Sequence, residues 1–113
     1  MKKGNVFKKE LLVGKIWEDE NGFHFQYNET YLNDPVYGEV SKILPLRSEE
    51  YIDKTILPFF DGLIPEGWFL QLAIDNWKLD PRDRMSLLLN LCKDCIGDIS
   101  IINDEDYELS NLL

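Results

Sequence analysis

Leu11-Leu12-Val13-Gly14-Lys15-Ile16-Trp17-Glu18-Asp19-Glu20-Asn21-Gly22-Phe23-His24-Phe25-Gln26-Tyr27 is the stretch whose pattern settles the fold class. Residues 10–17 are rich in β-branched and aromatic side chains with partial alternation, which marks a strand. After the polar run 18–22, Phe23 to Tyr27 alternates with a strict period of two. The dipeptide Asn21-Gly22 tolerates the positive φ angles of a two-residue hairpin turn, so the two strands are expected to pair directly. The same alternation sends Phe23, Phe25 and Tyr27 to one face, as core, and His24 and Gln26 to the other.

Working outward, the pattern loosens after Asn28, where Asn33-Asp34-Pro35 and Tyr37-Gly38 signal turns. Residues 40–46 have room for a short strand before Pro45 limits ladder bonding, and Ser48-Glu49-Glu50-Tyr51 suits a helix start or a turn. The second half reads as helical. Pro65 fits a first helical turn, where its missing N–H is harmless, and the helix is expected to run through Lys78. Asp80 and Pro81 then suit the N-cap and first position of a second helix, whose Met85, Leu87, Leu88, Leu89, Leu91 and Cys92 are apolar around much of its circumference. Gly97 breaks that pattern, Ile99-Ser100-Ile101-Ile102 reads as a last strand, and residues 104–113 form an acidic tail expected to fray. The expected fold is therefore α+β: one domain over residues 1–103, with an antiparallel sheet from the N-terminal strands plus the last strand, covered by two or three helices.

Composition narrows the function. The 113 residues are 44% hydrophobic, which supplies one core, and no apolar run is long enough to cross a bilayer. A soluble, cytoplasmic protein is expected. The formal net charge of −9, from 21 acidic against 12 basic residues, repels a phosphate backbone and argues against direct nucleic-acid binding. Such acidity suits a protein that meets a basic protein surface, and equally suits a merely solvated exterior.

Chemical motifs are sparse. Cys92 and Cys95 make a Cys-x-x-Cys at the end of a helical pattern rather than at a helix N-terminus, where a thiolate would be stabilised, so buried structural thiols are favoured over a small oxidoreductase. A structural zinc site needs about four ligands, and only the distant His24 is left to help; neither metal nor cofactor is expected. No Gly-rich phosphate loop, nucleophile elbow, His-Glu-x-x-His or His-Arg-Asp-type loop occurs, and His24 has no Ser, Cys or paired carboxylate near it in sequence.

Several segments, in order and spacing, resemble the N-terminal subdomain of HipA-type Ser/Thr kinase toxins. Residues 14–27 are similar to the family's opening, and Ile43-Leu44-Pro45-Leu46 looks like its next element. Pro58-Phe59-Phe60-Asp61-Gly62-Leu63-Ile64-Pro65-Glu66-Gly67 is nearly its signature, and Asp94-Cys95-Ile96-Gly97-Asp98-Ile99 resembles a later segment, with a charged Asp98 where the family has a small residue. The resemblance covers almost the whole chain, while the nucleotide loop and catalytic aspartates of such kinases belong to later subdomains. It implies a noncatalytic, HipS-like antitoxin that docks on and neutralises a separate HipA- or HipT-like kinase, in company with a HipB-like helix-turn-helix protein. A noninhibitory subunit that completes the kinase and links it to the HipB-like protein is the alternative.

A helical projection from Trp68 suggests where a partner would touch. Phe69, Leu70, Ala73, Ile74 and Trp77 share a broad apolar arc and are expected to face the core. Trp68 and Leu72 fall on the opposite side with Gln71 and Asp75. Trp68 either folds back over Phe59 and Phe60 or serves as an anchor in the partner, with Leu72, Gln71 and Asp75 around it.

Overall fold

The computed structural model describes residues 2–65, 67–92 and 98–104, apart from the side chains of Trp68 and Phe69. A five-stranded sheet has the order β4-β3-β2-β1-β5 with every neighbouring pair antiparallel. Its strands are β1 (Lys2–Lys8), β2 (Leu11–Asp19), β3 (Gly22–Tyr27), β4 (Tyr51–Asp53) and β5 (Ile99–Asn103). The described residues also form the helices α1 (Glu29–Asn33), α2 (Pro58–Asp61), α3 (Gly67–Trp77) and α4 (Arg84–Leu91). The fold is α+β, as the hydrophobic pattern implies.

Alternation in β3 works as expected. Phe23, Phe25 and Tyr27 are buried on the helix-covered face with Val6, Ile16, Ile99 and Ile101, while Gln26 is exposed on the opposite one. The Phe25 ring lies 5.1 Å from Phe60 of α2 and 4.8 Å from Tyr27, and α4 closes the core with Met85, Leu87, Leu88 and Leu89. Burying each such side chain contributes roughly 1.5–3 kcal/mol. Gly4 lets α4 approach β1: a Cβ there would lie 2.7 Å from Leu89 Cδ2. The Tyr27 hydroxyl accepts the Val40 N–H at 3.0 Å and donates to the Leu44 carbonyl, tying down the long loop; burial pushes this phenol up to about 12.

Four local expectations need correction. The two hairpin-turn residues are Glu20 and Asn21, because Asp19 pairs with Gly22. The Asp19 carboxylate accepts the Asn21 N–H at 2.8 Å, a side-chain turn that replaces the positive-φ pair, and only Gly22 has positive φ, at 129°. Residues 40–46 form no strand, only the isolated bridge Ser41–Leu44, because their polar groups are taken up by Tyr27. Tyr51 enters β4 rather than a helix, since the edge of β3 offers it ladder bonds next to Phe25. Lastly, α4 begins after Asp83, not Asp80. Asp83 accepts from the Ser86 N–H and Oγ and pairs with Lys2, so it caps the helix better than Asp80, which instead forms a turn with the Arg82 N–H.

Strand β1 was not anticipated, because Lys2-Lys3-Gly4-Asn5 is poor in strand-forming residues. It is nonetheless central, paired with both β2 and β5. Between β1 and β2, Val6 faces Gly14 and Phe7 faces Leu12, which leaves Val13 as the extra residue of a bulge. The Val13 carbonyl accepts the Asn28 N–H at 2.8 Å and so fixes the exit of β3.

Gly22 is irreplaceable on two counts, its positive φ and a Cβ position only 2.3 Å from the Asp53 carbonyl oxygen. Gly22→Ala is expected to destabilise the protein by about 2 kcal/mol or more in urea denaturation, an L side chain at positive φ adding to a clash at the β3–β4 seam.

Candidate partner-binding surface

The segment from Pro58 to Gly67 is a scaffold for α3. Pro58 opens α2, where it supplies a preset φ, and Phe60 drops into the core against Phe25 and, edge-on, against Phe59 at 5.1 Å. Ile64 is buried and Leu63 half-buried, and the Leu63 carbonyl accepts the buried Cys92 thiol at 3.3 Å. Asp61 Oδ1 accepts from Arg84 Nε at 2.8 Å and Nη2 at 2.7 Å, which clamps α2 to the start of α4. Gly62, the C-cap of α2, has ordinary helical φ. Gly67 opens α3 at φ 68°, a conformation that L side chains resist, which gives the glycine of the Pro65-Glu66-Gly67 signature a conformational reason. Glu66, Asp94, Cys95, Ile96 and Gly97 lie outside the described residues. Asp98, where a charge stands in for a small residue, is exposed, and its carbonyl accepts the Lys9 N–H.

Among its described side chains, helix α3 meets the body along a narrow stripe. Ala73 is buried and Leu70 and Ile74 are partly buried against the core, as the projection requires. Lys78 follows at φ 56°, and the Leu79 N–H bonds the Ile74 carbonyl at 3.2 Å; this six-to-one closure folds Leu79 back onto the core. The opposite side is open. Leu72 is 48% exposed, and Gln71 and Asp75 are exposed beside it, joined by a 3.0 Å hydrogen bond from Gln71 Nε2 to Asp75 Oδ1. Trp68 starts the same face, although its side chain, like that of Phe69, lies outside what is described. Trp77 corrects the projection: it sits on the inward arc yet is 58% exposed, as the last helical residue before the chain turns away through left-handed Lys78. Leu72 and Trp77 are thus two exposed large apolar side chains on different sides of α3.

Other features yield less. Among the described residues no group of His, Cys, Asp and Glu could hold a metal, and no helix is long and apolar enough to cross a membrane. A cavity of about 500 Å³ on the open sheet face is lined in part by Lys3, Lys15, Trp17, Gln26 and Glu29, a mixture of charges that singles out no ligand. Asp104 is held on that face by Asn5 Nδ2 at 3.0 Å, and the remaining tail, 105–113, lies outside the described residues.

Sequence reasoning missed the surroundings of His24. This side chain is 4% exposed on the face away from the helices, with Nε2 2.8 Å from Asp19 Oδ1, Nδ1 3.0 Å from Glu50 Oε2, and its ring stacked on Trp17 at 4.9 Å. Two carboxylates therefore do flank it. Glu50 lies 26 residues away, so only the pairing of β4 could have revealed the cluster.

Comparison with known proteins gives the family. Residues 4–102 match the model of the HipA N-terminal domain, so the chain belongs to that family. It is 31% identical to an uncharacterised Haemophilus influenzae protein, over 89% of this chain and 92% of that protein. It is 30% identical to the Sinorhizobium fredii protein Y4mE, whose name marks it as a proposed kinase; the match spans 92% of this chain but only 25% of Y4mE. Among solved structures, it is similar to the N-terminal domain of a HipA toxin, with a TM-score of 0.65 and 27% identity over 92% of this chain and 93% of that one.

The C-terminal closure of α3 makes a stability prediction. Lys78 occupies a left-handed position that favours glycine, so Lys78→Gly is expected to raise the unfolding free energy by about 1 kcal/mol in urea denaturation.

Proposed function

We propose that this chain acts without chemistry of its own, as an antitoxin-like subunit that docks on a HipA- or HipT-like Ser/Thr kinase and neutralises it. The observation that carries this reading is α3: the helix launched from the Pro58–Gly67 scaffold turns Leu72, Gln71 and Asp75 outward and leaves Trp77 uncovered. Exposed large apolar side chains on a structured helix are what a partner surface buries. Membership in the HipA N-terminal domain family supports a toxin–antitoxin setting. The match to one quarter of Y4mE supports a kinase as the partner, and the match to nearly all of the Haemophilus protein supports action as a separate subunit. Trp68, at the head of the same face, is the anchor on this reading, with Leu72, Gln71 and Asp75 around it. A HipB-like helix-turn-helix protein is the third member of the assembly, and it makes the DNA contacts that a charge of −9 discourages here.

Inhibition by a separate subunit follows its free concentration and affinity. Titrating the chain into an autophosphorylation assay of its partner kinase is therefore expected to abolish activity with a saturable dose dependence. Trp68→Ala and Leu72→Ala are expected to shift the half-inhibitory concentration upward by roughly 10-fold or more each, the scale of an interface hot spot, with circular dichroism unchanged. Unchanged or enhanced kinase activity would instead identify a noninhibitory subunit that completes the kinase.

A further inference from the structure

His24 is the only histidine in the chain, and it is buried where nothing in the proposed kinase contact uses it. Its two ring nitrogens point at two carboxylates from different elements: Asp19 at the end of β2 and Glu50 just before β4. An imidazolium donates to both. A neutral imidazole has one N–H, so one carboxylate must then face a lone pair. Asp19 is held independently, since its Oδ1 also accepts the Asn21 N–H, whereas the Glu50 side chain is 43% exposed on the sheet's edge. The Glu50 contact is thus the one that gives way.

The other holds on this edge are the Gln26 Nε2 bond to the Ser48 carbonyl at 2.9 Å, the Tyr51 ring stacked on Phe25 with its hydroxyl donating to the Pro45 carbonyl, and a short ladder. Strand β4 pairs with β3 through only three residues, Tyr51, Ile52 and Asp53, with Ile52 directly opposite His24 and itself exposed. Charges around the imidazole come from each neighbouring element. Besides Asp19 and Glu50, Lys3 of β1 lies in the same cross-strand row beyond Trp17, and Lys15 of β2 in the next row. Arg47 donates to the Glu49 and Glu50 carbonyls and packs over the Tyr51 ring at 3.6 Å. Gln26, the next residue of β3 on that face, is uncharged.

We propose that His24 is a proton-operated latch that holds the β4 edge of the sheet, and with it the lead into α2, when the imidazole is charged. Burial pushes the His24 pKa down, but the hydrogen bonds to Asp19 and Glu50 and their negative charges outweigh it, and the net shift is upward. For a group whose pKa is raised on folding, the stabilisation is complete below the unfolded-state pKa and is lost as pH rises through the folded-state pKa. The latch therefore opens on the alkaline side, and only the edge loosens. From β4 the chain passes through buried Ile56 and Leu57 into Pro58, so the opened segment adjoins the scaffold of α3.

With one histidine, an NMR titration of its ring reports the latch without ambiguity. It is to be combined with hydrogen exchange of the amides of residues 51–55, corrected for intrinsic rates, between pH 6 and pH 9. The expected result is a His24 pKa above 6.5 and a roughly 3- to 10-fold loss of protection in those amides across the same titration, with β1–β2 unchanged. In Glu50→Gln, which alters an exposed edge residue, the pKa is expected to fall and the pH dependence of β4 protection to flatten. A His24 pKa at or below 6.5, or β4 protection that ignores the His24 titration, would overturn the proposal.

Discussion

The contact between Phe25 and Phe60 joins the two halves of this protein. Phe25 comes from the middle of the central hairpin and is the hub of an aromatic cluster with Tyr27 and Tyr51, while Phe60 comes from the one-turn helix α2. Both side chains are fully buried. The half-exposed Asp61–Arg84 pair and the Leu63–Cys92 bond tie the same segment to α4, and buried Leu57 and Ile64 add apolar contact on either side of Phe60. Exposed ion pairs contribute little to stability, so the apolar contact dominates. The position of the proposed docking helix is thus set by a side chain read directly from the alternation of β3.

What the sequence disclosed and what it hid divide along physical lines. The β2–β3 hairpin, the aromatic face, the final strand and the inward set Leu70, Ala73 and Ile74 were legible because each follows from local periodicity. Strand β1 was hidden because its lysines, glycine and asparagine carry no strand signal and it owes its place to being sandwiched between β2 and β5. The three-residue β4 was hidden by its brevity, and with it the second carboxylate on His24. The turn register was misjudged because an Asp19 side chain did the work expected of an Asn-Gly backbone. Periodicity placed Trp77 on the core-facing arc of α3, but a helical projection carries no information on where the helix ends and the chain turns away, and Trp77 is exposed.

The candidate surface shows the same division. Leu72, Gln71 and Asp75 lie together and exposed, as a helical projection requires, whereas the catalogue of family motif residues turns out to be largely architectural. Phe60 is core, Pro58 starts a helix, Gly67 supplies a left-handed backbone angle, and Asp61 holds Arg84. The signature thus reads as the means of presenting α3 rather than as the contact itself.

The central claim is that α3 is the surface this chain offers to a kinase. Hydrogen–deuterium exchange of the chain, alone and bound to its partner kinase, tests it most directly. Protection on binding should concentrate in residues 67–77, because a helix with an open side gains most when that side is covered. Protection confined to the open face of the sheet, with α3 exchanging as fast in the complex as in the free chain, would contradict the account.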